Sequence, residues 1–336
     1  MGRRWRRRRR NGVLFFFCAL LLFAAAWIAT RETETPEREA TPLPLTPEGE
    51  IAVDLYLVEE DKTITLDLED YIVGVVAAEV PANFEPEALK AQAIVARTYS
   101  VRKINAKEAG ETDQVHEAAL CDSFAHCQAY CDDEEMREKW GDQYEEYSEK
   151  IRQAVEDTRD LVVLYEGEIA LTPYHSTCGG KTASAEEVWG EAYPYLVSVD
   201  CDLDTDAPRY TEDFAFALAD IPWLLGEDGK PCIALSSGEE ADEVPEIMSE
   251  TESGRVAVLS YGGLEFAGTD FREKMGINST NFTFEVEGDE LLIHTQGFGH
   301  GVGLCQHGAN GMAKEGKTAE EIIAHYYVGT EIGSID

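Results

Sequence analysis

Positive charge is scarce in this sequence and unevenly placed. Seven of its 28 Lys and Arg stand in the first ten residues (Arg3, Arg4 and Arg6 to Arg10). The other 21 face 66 Asp and Glu, a formal net charge of −45 beyond that head. Such a surface repels phosphate backbones, which excludes a nucleic-acid partner. Most of the acids, such as Asp132 to Glu135 and Glu239 to Glu243, read as solvated faces that keep the chain soluble. Internal repeats of fixed period are missing, which excludes a solenoid. A disulfide framework is missing too: of eight cysteines, Cys18 sits in an apolar run, Cys121, Cys127 and Cys131 crowd beside two histidines, and Cys178, Cys201, Cys232 and Cys305 are scattered singly.

Charge of either sign is absent between Gly12 and Thr30 (GVLFFFCALLLFAAAWIAT). That run approaches the roughly 20 residues needed to span a hydrocarbon core. The arginines before it place residue 1 in the cytoplasm. A cleavable signal peptide has the same charge order, but its apolar region is usually ~7–15 residues, shorter than this one. The expected organisation is a cytoplasmic basic head at 1–11, a single transmembrane helix at 12–30 and an extended linker at 31–50 with four prolines. An extracytoplasmic domain at 51–336 completes it.

Within that domain, Ile51 to Thr65 alternates as two short strands about a Glu59–Lys62 turn. Asp67 caps a helix to Glu79, which Pro81 stops. A second helix starts near Pro86 and runs through ALKAQAIVARTYSVRKI, and a third, charged one covers about Glu134 to Asp157. Hairpins follow, turning at Glu166–Gly167, Gly262–Gly263 and Gly288–Asp289. The last helix spans roughly Thr318 to Tyr327. The sum is an α+β fold, helices first and antiparallel sheet later.

Four constellations can carry chemistry. Glu79 continues the apolar stripe of its helix, so it faces the interior or a cleft, where desolvation raises a carboxyl pKa and lets it donate a proton to a leaving oxygen. Pairing with Arg97 or Lys90 is the structural alternative. His116, Cys121, His126 and Cys127 offer two imidazoles and two thiolates, a complete shell for a structural zinc, with reduced or bridged cysteines as the alternative. Tyr174, His175, Ser176 and Thr177 end a strand before Cys178 and two glycines, a polar run suited to sugar hydroxyls. A Cys178 nucleophile with His175 as base would need a turn to bring the two together. Finally, Gly297 to Ala313 (GFGHGVGLCQHGANGMA) reads as a glycine-shaped cleft wall presenting His300, Gln306 and His307, or as a tight packing turn. The run itself lacks a phosphate loop's Lys-Ser/Thr ending and follows antiparallel sheet.

Together these segments resemble the stage II sporulation protein D family of peptidoglycan lytic transglycosylases. The carriers are YIVGVVAAEVPANFEPEALKAQAIVARTYSV (Tyr71 to Val101), HCQAY (His126 to Tyr130), YHSTCGGKT (Tyr174 to Thr182), PYLVSV (Pro194 to Val199), STNFTFEV (Ser279 to Val286) and GFGHGVGLCQHGANGMAKEGK (Gly297 to Lys317). The resemblance implies a catalytic acid at Glu79 and cleavage of the MurNAc–GlcNAc bond of peptide-stripped glycan strands to 1,6-anhydro-MurNAc ends. It implies substrate contacts from Arg97, Tyr174, His175, Ser176, Thr177, His300 and Gln306, and a structural Zn2+ on His116, Cys121, His126 and Cys127. It further implies an anchored enzyme in the mother-cell membrane facing the septal space during engulfment, with a cell-wall amidase and a membrane scaffold as partners. The sequence departs from the family's commonest pattern at Cys178 and Cys305, where serine is usual, and at His307, where tyrosine is usual. Pairing of Cys178 with Cys201 as a disulfide stays open. A zinc-dependent cell-wall amidase and a non-catalytic wall-binding scaffold are the rival functions.

Overall fold

The computed structural model describes residues 43–47, 49–110, 117–232 and 244–335. The arginine head, the expected membrane helix at 12–30 and most of the linker lie outside the described residues. Among the described residues no helix is long and apolar enough to cross a membrane.

Folded structure begins before residue 51. Leu43 packs on the first core cluster, Ala52 N–H donates to Pro44 O at 2.8 Å, and Thr46 N–H donates to Glu50 O at 2.7 Å. Residues 43–47, 49 and 50, linker by composition, therefore belong to the domain. Strands β1 (Ala52–Leu57) and β2 (Lys62–Asp67) pair antiparallel about the expected turn. Asp67 then caps α1 (Leu68–Glu79), its carboxylate accepting from Glu69 N–H at 2.8 Å and Asp70 N–H at 3.3 Å. Every residue from Leu68 to Ala77 except Asp70 is buried, as a helix apolar on all sides must be. Helix α2 (Pro86–Glu108) lies against α1, its buried Ala88, Ala93 and Ala96 sharing the same cluster.

Strand β3 (Leu120–Cys121) follows. Where one charged helix was expected there are two, α3 (Asp133–Trp140) and α4 (Tyr144–Glu156), because Gly141 adopts φ 51° and breaks the run. Next come β4 (Leu161–Tyr165), β5 (Glu168–Ile169), β6 (Tyr174–His175), β7 (Gly180–Lys181), α5 (Ala185–Trp189), β8 (Asp200–Cys201), β9 (Thr211–Ala217) and α6 (Ile221–Leu224). The chain continues through β10 (Glu246–Glu250), β11 (Val256–Tyr261), β12 (Leu264–Ala267), α7 (Gly268–Met275), β13 (Phe282–Glu287), β14 (Glu290–Gln296) and β15 (Leu304–Cys305). It closes with α8 (Gln306–Lys314), α9 (Ala319–Tyr326) and β16 (Glu331–Ser334).

The three expected hairpins are present, each extended by a third strand into the sheets β16-β4-β5, β10-β11-β12 and β13-β14-β9. The last two share an apolar cluster with α7 around Phe271, Phe282 and Ile293. Two pairings depart from the antiparallel expectation. β3 runs parallel to β1, and β15 runs parallel to β6 with Leu304 opposite Tyr174 and Cys305 opposite His175. The second pairing joins two sequence segments about 130 residues apart and builds one wall of the candidate site.

Arg97 does not belong to that site. Its guanidinium is fully buried, donates to both Glu69 oxygens at 2.8 and 2.6 Å, and also to Leu161 O at 3.1 Å and Val155 O at 3.3 Å. The expected glycan contact is replaced by a structural ion pair, since a buried guanidinium must find acceptors inside the core.

Candidate active site

Helix α1 ends on Glu79 because Val80 turns to extended backbone and Pro81 offers no N–H to continue it. Glu79 is only partly buried, so it borders solvent. The segment after β3 crosses α1 at Gly74: a Cβ there would collide with the Tyr130 ring and come within 2.7 Å of Cys131 O. Cys131 N–H donates to Gly74 O at 3.2 Å, and the Tyr130 ring stacks on Tyr71 at 5.7 Å. Gln128, itself buried, pins the crossing by donating to Tyr71 Oη at 3.3 Å and Ser100 Oγ at 3.1 Å. This docking delivers Ala129 N–H to Glu79 Oε1 at 2.8 Å.

Burial raises the Glu79 pKa above the ordinary carboxylate value. The Ala129 N–H, the Gln306 and Tyr174 side chains and the Lys139 charge oppose the rise without cancelling it. Neither alternative partner is engaged: Arg97 holds Glu69, and Lys90 pairs with Glu87 at 3.2 Å and Asp157 at 3.0 Å.

Glu79 lines an open cleft of about 910 Å3 together with Gln128, Tyr174, His175, Ser176, His300 and Gln306. Among the described residues that line it, Glu79 is the one carboxyl. Tyr174 Oη donates to Gln128 Oε1 at 2.9 Å, tying β6 to the same loop that serves Glu79. Gln306 opens α8 and is buried beside Gln92, 3.5 Å away. His175 bonds Val302 O through Nδ1 at 3.2 Å; because a carbonyl only accepts, that nitrogen carries the proton, leaving Nε2 as an acceptor that has no partner. His300 accepts Val302 N–H on Nδ1 at 3.0 Å. Burial first, then neighbouring cations and, for His175, the His300 ring, pushes both histidines down, His300 to about 4. Both are neutral at pH 7.

Three expected site features are not in the cleft. Thr177 is buried and exchanges backbone hydrogen bonds with Phe298 at 3.0 and 2.7 Å. Cys178 Sγ turns away from His175 and lies 3.0 Å from Asp204 Oδ2, so the cysteine-histidine nucleophile has no geometry. His307 packs its ring edge-on against Phe84, 5.1 Å between centroids. The letters GMAKEGKT, Gly311 to Thr318, do spell a phosphate loop one step beyond the run considered above. Yet Gly311 lies inside α8, Thr318 caps α9 and Lys317 pairs with Glu321 at 3.4 Å, so no phosphate cradle forms.

Cys121, His126 and Cys127 bring their donor atoms within 4.8 Å of one another, with His126 Nδ1 3.4 Å from Cys121 Sγ and 3.3 Å from Cys127 Sγ. Two thiols and an imidazole converging on one point fit zinc. His116, the fourth expected ligand, lies outside the described residues, and Cys131 stands apart from the cluster. His126 and Cys127 also line the cleft.

Several lining residues escaped the sequence reading: Tyr99, Lys103, Phe124, Trp189, Arg272 and Phe298. Phe124 is 82% exposed and Trp189 46%, unusual for large aromatics unless they meet a ligand. An isolated Phe in the polar loop DSFAHC was the one available signal.

The cleft is rimmed by aromatic faces, and among the described residues that line it there is one carboxyl, partly withdrawn from water. A family model described as stage II sporulation protein matches residues 58–165, the stretch that holds Glu79 and the Cys/His cluster. The chain is 37% identical over 288 residues to stage II sporulation protein D of Bacillus subtilis, covering 85% of this chain and 80% of that protein. It is 35% identical over 293 residues to the protein of that name from Bacillus amyloliquefaciens, covering 87% and 82%. It is also similar to the amidase enhancer of Bacillus subtilis, at 25% identity over 309 residues, 78% of this chain and 40% of that protein. The chain belongs to the stage II sporulation protein D family.

Proposed function

We propose that the protein is a lytic transglycosylase that cuts the MurNAc–GlcNAc bond of peptide-stripped peptidoglycan strands. The observation that carries this reading is the lone carboxyl: Glu79 is protonation-prone, and no second described acid lines the cleft. Hydrolysing glycosidases need a pair of carboxyls, one as acid and one as nucleophile or base. An intramolecular reaction needs one. Glu79 gives its proton to the glycosidic oxygen as the bond to the muramyl C1 breaks. The C6 hydroxyl of the same sugar then attacks C1, and the Glu79 carboxylate, steadied by Ala129 N–H, takes the hydroxyl proton. The bond lost and the bond formed balance, water is not consumed, and Glu79 ends as it began.

Phe124 and Trp189 offer faces for sugar rings, and the neutral His175, Ser176 and Gln306 offer hydrogen bonds. Lys103 and Arg272 bring positive charge to the cleft of a strongly acidic chain. Their fit is to the free lactyl carboxylate of a muramyl residue without its peptide. Zinc on Cys121, His126 and Cys127 would stabilise the loop that presents Ala129 N–H, and would supply structure rather than a reacting group. Tethering by residues 12–30 would hold this cleft near the membrane that faces the wall. An amidase that strips the strands and a membrane scaffold of the engulfment machinery fit as partners.

Mass spectrometry of products from peptide-free glycan tests the reading. Wild type should release 1,6-anhydromuramyl ends, and Glu79→Gln should fold and release none. Normal product formation by that variant overturns the assignment. A zinc hydrolase draws some support from His126 and Cys127 lining the same cleft. It predicts freed stem peptides and prompt loss of activity with a chelator while the fold persists.

A further inference from the structure

Three further thiols and a carboxylate meet inside the core, separate from the cluster at His126. Sγ of Cys178, Cys201 and Cys305 and one oxygen of Asp204 lie within 4.8 Å of one another, and all four residues are buried. Sequence spacing hides the group. The pairing of Gly180 with Cys201 and of His175 with Cys305 assembles it from three distant segments.

Asp204 Oδ2 is 3.0 Å from Cys178 Sγ and 3.6 Å from Cys305 Sγ, and it accepts the N–H groups of Cys178 and Gly179 at 2.9 Å each. Asp204 is 1% exposed, and its Oδ1 has no hydrogen-bond partner. A carboxylate this deep, half unsatisfied and ringed by thiols, is expensive without a cation. Tetrahedral zinc, with Zn–S about 2.3 Å and Zn–O about 2.0–2.2 Å, sets its ligand atoms about 3.4–3.8 Å apart. The cluster is at that scale.

Two backbone N–H groups converge on one of the sulfurs. Cys178 N–H and Gly308 N–H both point at Cys305 Sγ from 3.3 Å, and Cys305 is the N-cap of the nine-residue α8. Tyr326 Oη lies 3.2 Å from Cys201 Sγ. Four anionic ligands on a divalent ion leave an excess of negative charge, and a buried cation stands close by. Arg255, 2% exposed, donates to Cys178 O at 2.8 Å, Lys181 O at 3.0 Å and Ser279 Oγ at 3.2 Å. A disulfide among the three cysteines would leave one thiol over and Asp204 Oδ1 still without a partner.

We propose that Cys178, Cys201, Asp204 and Cys305 form a closed structural site for a thiophilic divalent metal, zinc in the first instance. The ion would clamp the chain just past β6 to the start of α8, the two segments that bring Ser176 and Gln306 to the cleft.

The test uses the full-length chain, purified anaerobically without chelator. Replacing Cys178 and Cys305 together by serine should lower zinc by one equivalent per chain, read by elemental mass spectrometry, while near-ultraviolet circular dichroism stays native. In a Cys121→Ser, Cys127→Ser background, added Co2+ should give one equivalent of a tetrahedral spectrum with thiolate-to-cobalt charge transfer. Asp204→Asn, which keeps all three thiols, should weaken cobalt binding at least tenfold. This second variant decides the matter if the serine pair fails to fold. Unchanged zinc in the serine variant, unchanged cobalt affinity in Asp204→Asn, or a disulfide among the three cysteines found by alkylation and mass spectrometry overturns the site.

Discussion

Burial that would make Glu79 useful as an acid also makes it unfavourable as an anion. Its pKa in the folded chain lies above the unfolded value, chiefly through desolvation. The stability that the protonated side chain contributes is therefore fully present below the unfolded pKa and fades as pH rises through the folded one. Glu79→Gln removes that dependence. Its melting temperature relative to wild type should climb as pH rises through the raised pKa, in paired melts from pH 4 to pH 8; parallel curves would mean that the side chain is not desolvated. The rate on peptide-free glycan should fall on the same alkaline side, where the proton is gone. Arg97 gives the contrasting case of a charged residue without a substrate. Arg97→Ala strands Glu69 in the core and should destabilise by about 3–5 kcal/mol, and the double change Glu69→Leu, Arg97→Met should recover part of the loss. Denaturant titrations of the single and double variants check both. Pattern alone could not separate these two roles, because Glu69 and Glu79 belong to one helix and only tertiary packing decides which carboxylate receives the guanidinium.

The decisive element is the crossing of the 121–131 segment over α1, permitted by Gly74 and held by Tyr130 and Gln128. Gly74→Ala should force the loop off the helix at a stability loss of about 1–3 kcal/mol, as overpacking usually does. It should also withdraw Ala129 N–H from Glu79. Because that N–H favours the carboxylate, its loss should move the alkaline limb of the rate profile upward. A pH profile of the variant that matches wild type would place the loop outside the acid's environment. The helices and hairpins were legible because each carries a local signal: Asp67 as a cap, Pro86 in a first turn, glycines at the turns. The crossing was not, since nothing in the periodicity of α1 says which neighbour Gly74 admits. The β6–β15 pair was equally hidden, because two-residue strands carry no alternation, and with it went the union of Cys178, Cys201 and Cys305. The break between α3 and α4 rests on one glycine conformation, a choice that charge pattern does not report.

Over the whole molecule, the proposed function asks an acidic chain to bind a polyanion. With 66 acidic residues against 28 basic ones, the long-range field opposes a peptide-free strand whose lactyl groups are ionised. Within the cleft the balance reverses, for Lys103 and Arg272 line it and Glu79 is its one described carboxyl. These two influences have different reach. The Debye length is about 30 Å at 0.01 M salt and about 8 Å at 0.15 M, so added salt removes the distant repulsion sooner than a contact between Lys103 and a carboxylate. The KM for peptide-free glycan should therefore fall as ionic strength rises from 0.01 to 0.15 M, opposite to the trend for an acidic strand bound by a basic protein. Lys103→Ala should raise KM severalfold with little change in kcat, since the side chain meets the substrate away from the breaking bond, and strands with neutral, amidated lactyl groups should not register the substitution. Arg272 is a poorer probe because its Nε also supports Asn278 O at 3.1 Å, so its removal would disturb the fold. Rates measured across that salt range on both substrates, for wild type and Lys103→Ala, separate the field from the contact. A KM that rises with salt in the wild type would show that attraction within the cleft outweighs the distant field, and a Lys103 effect that persists on neutral strands would show that the cleft does not recognise the lactyl charge.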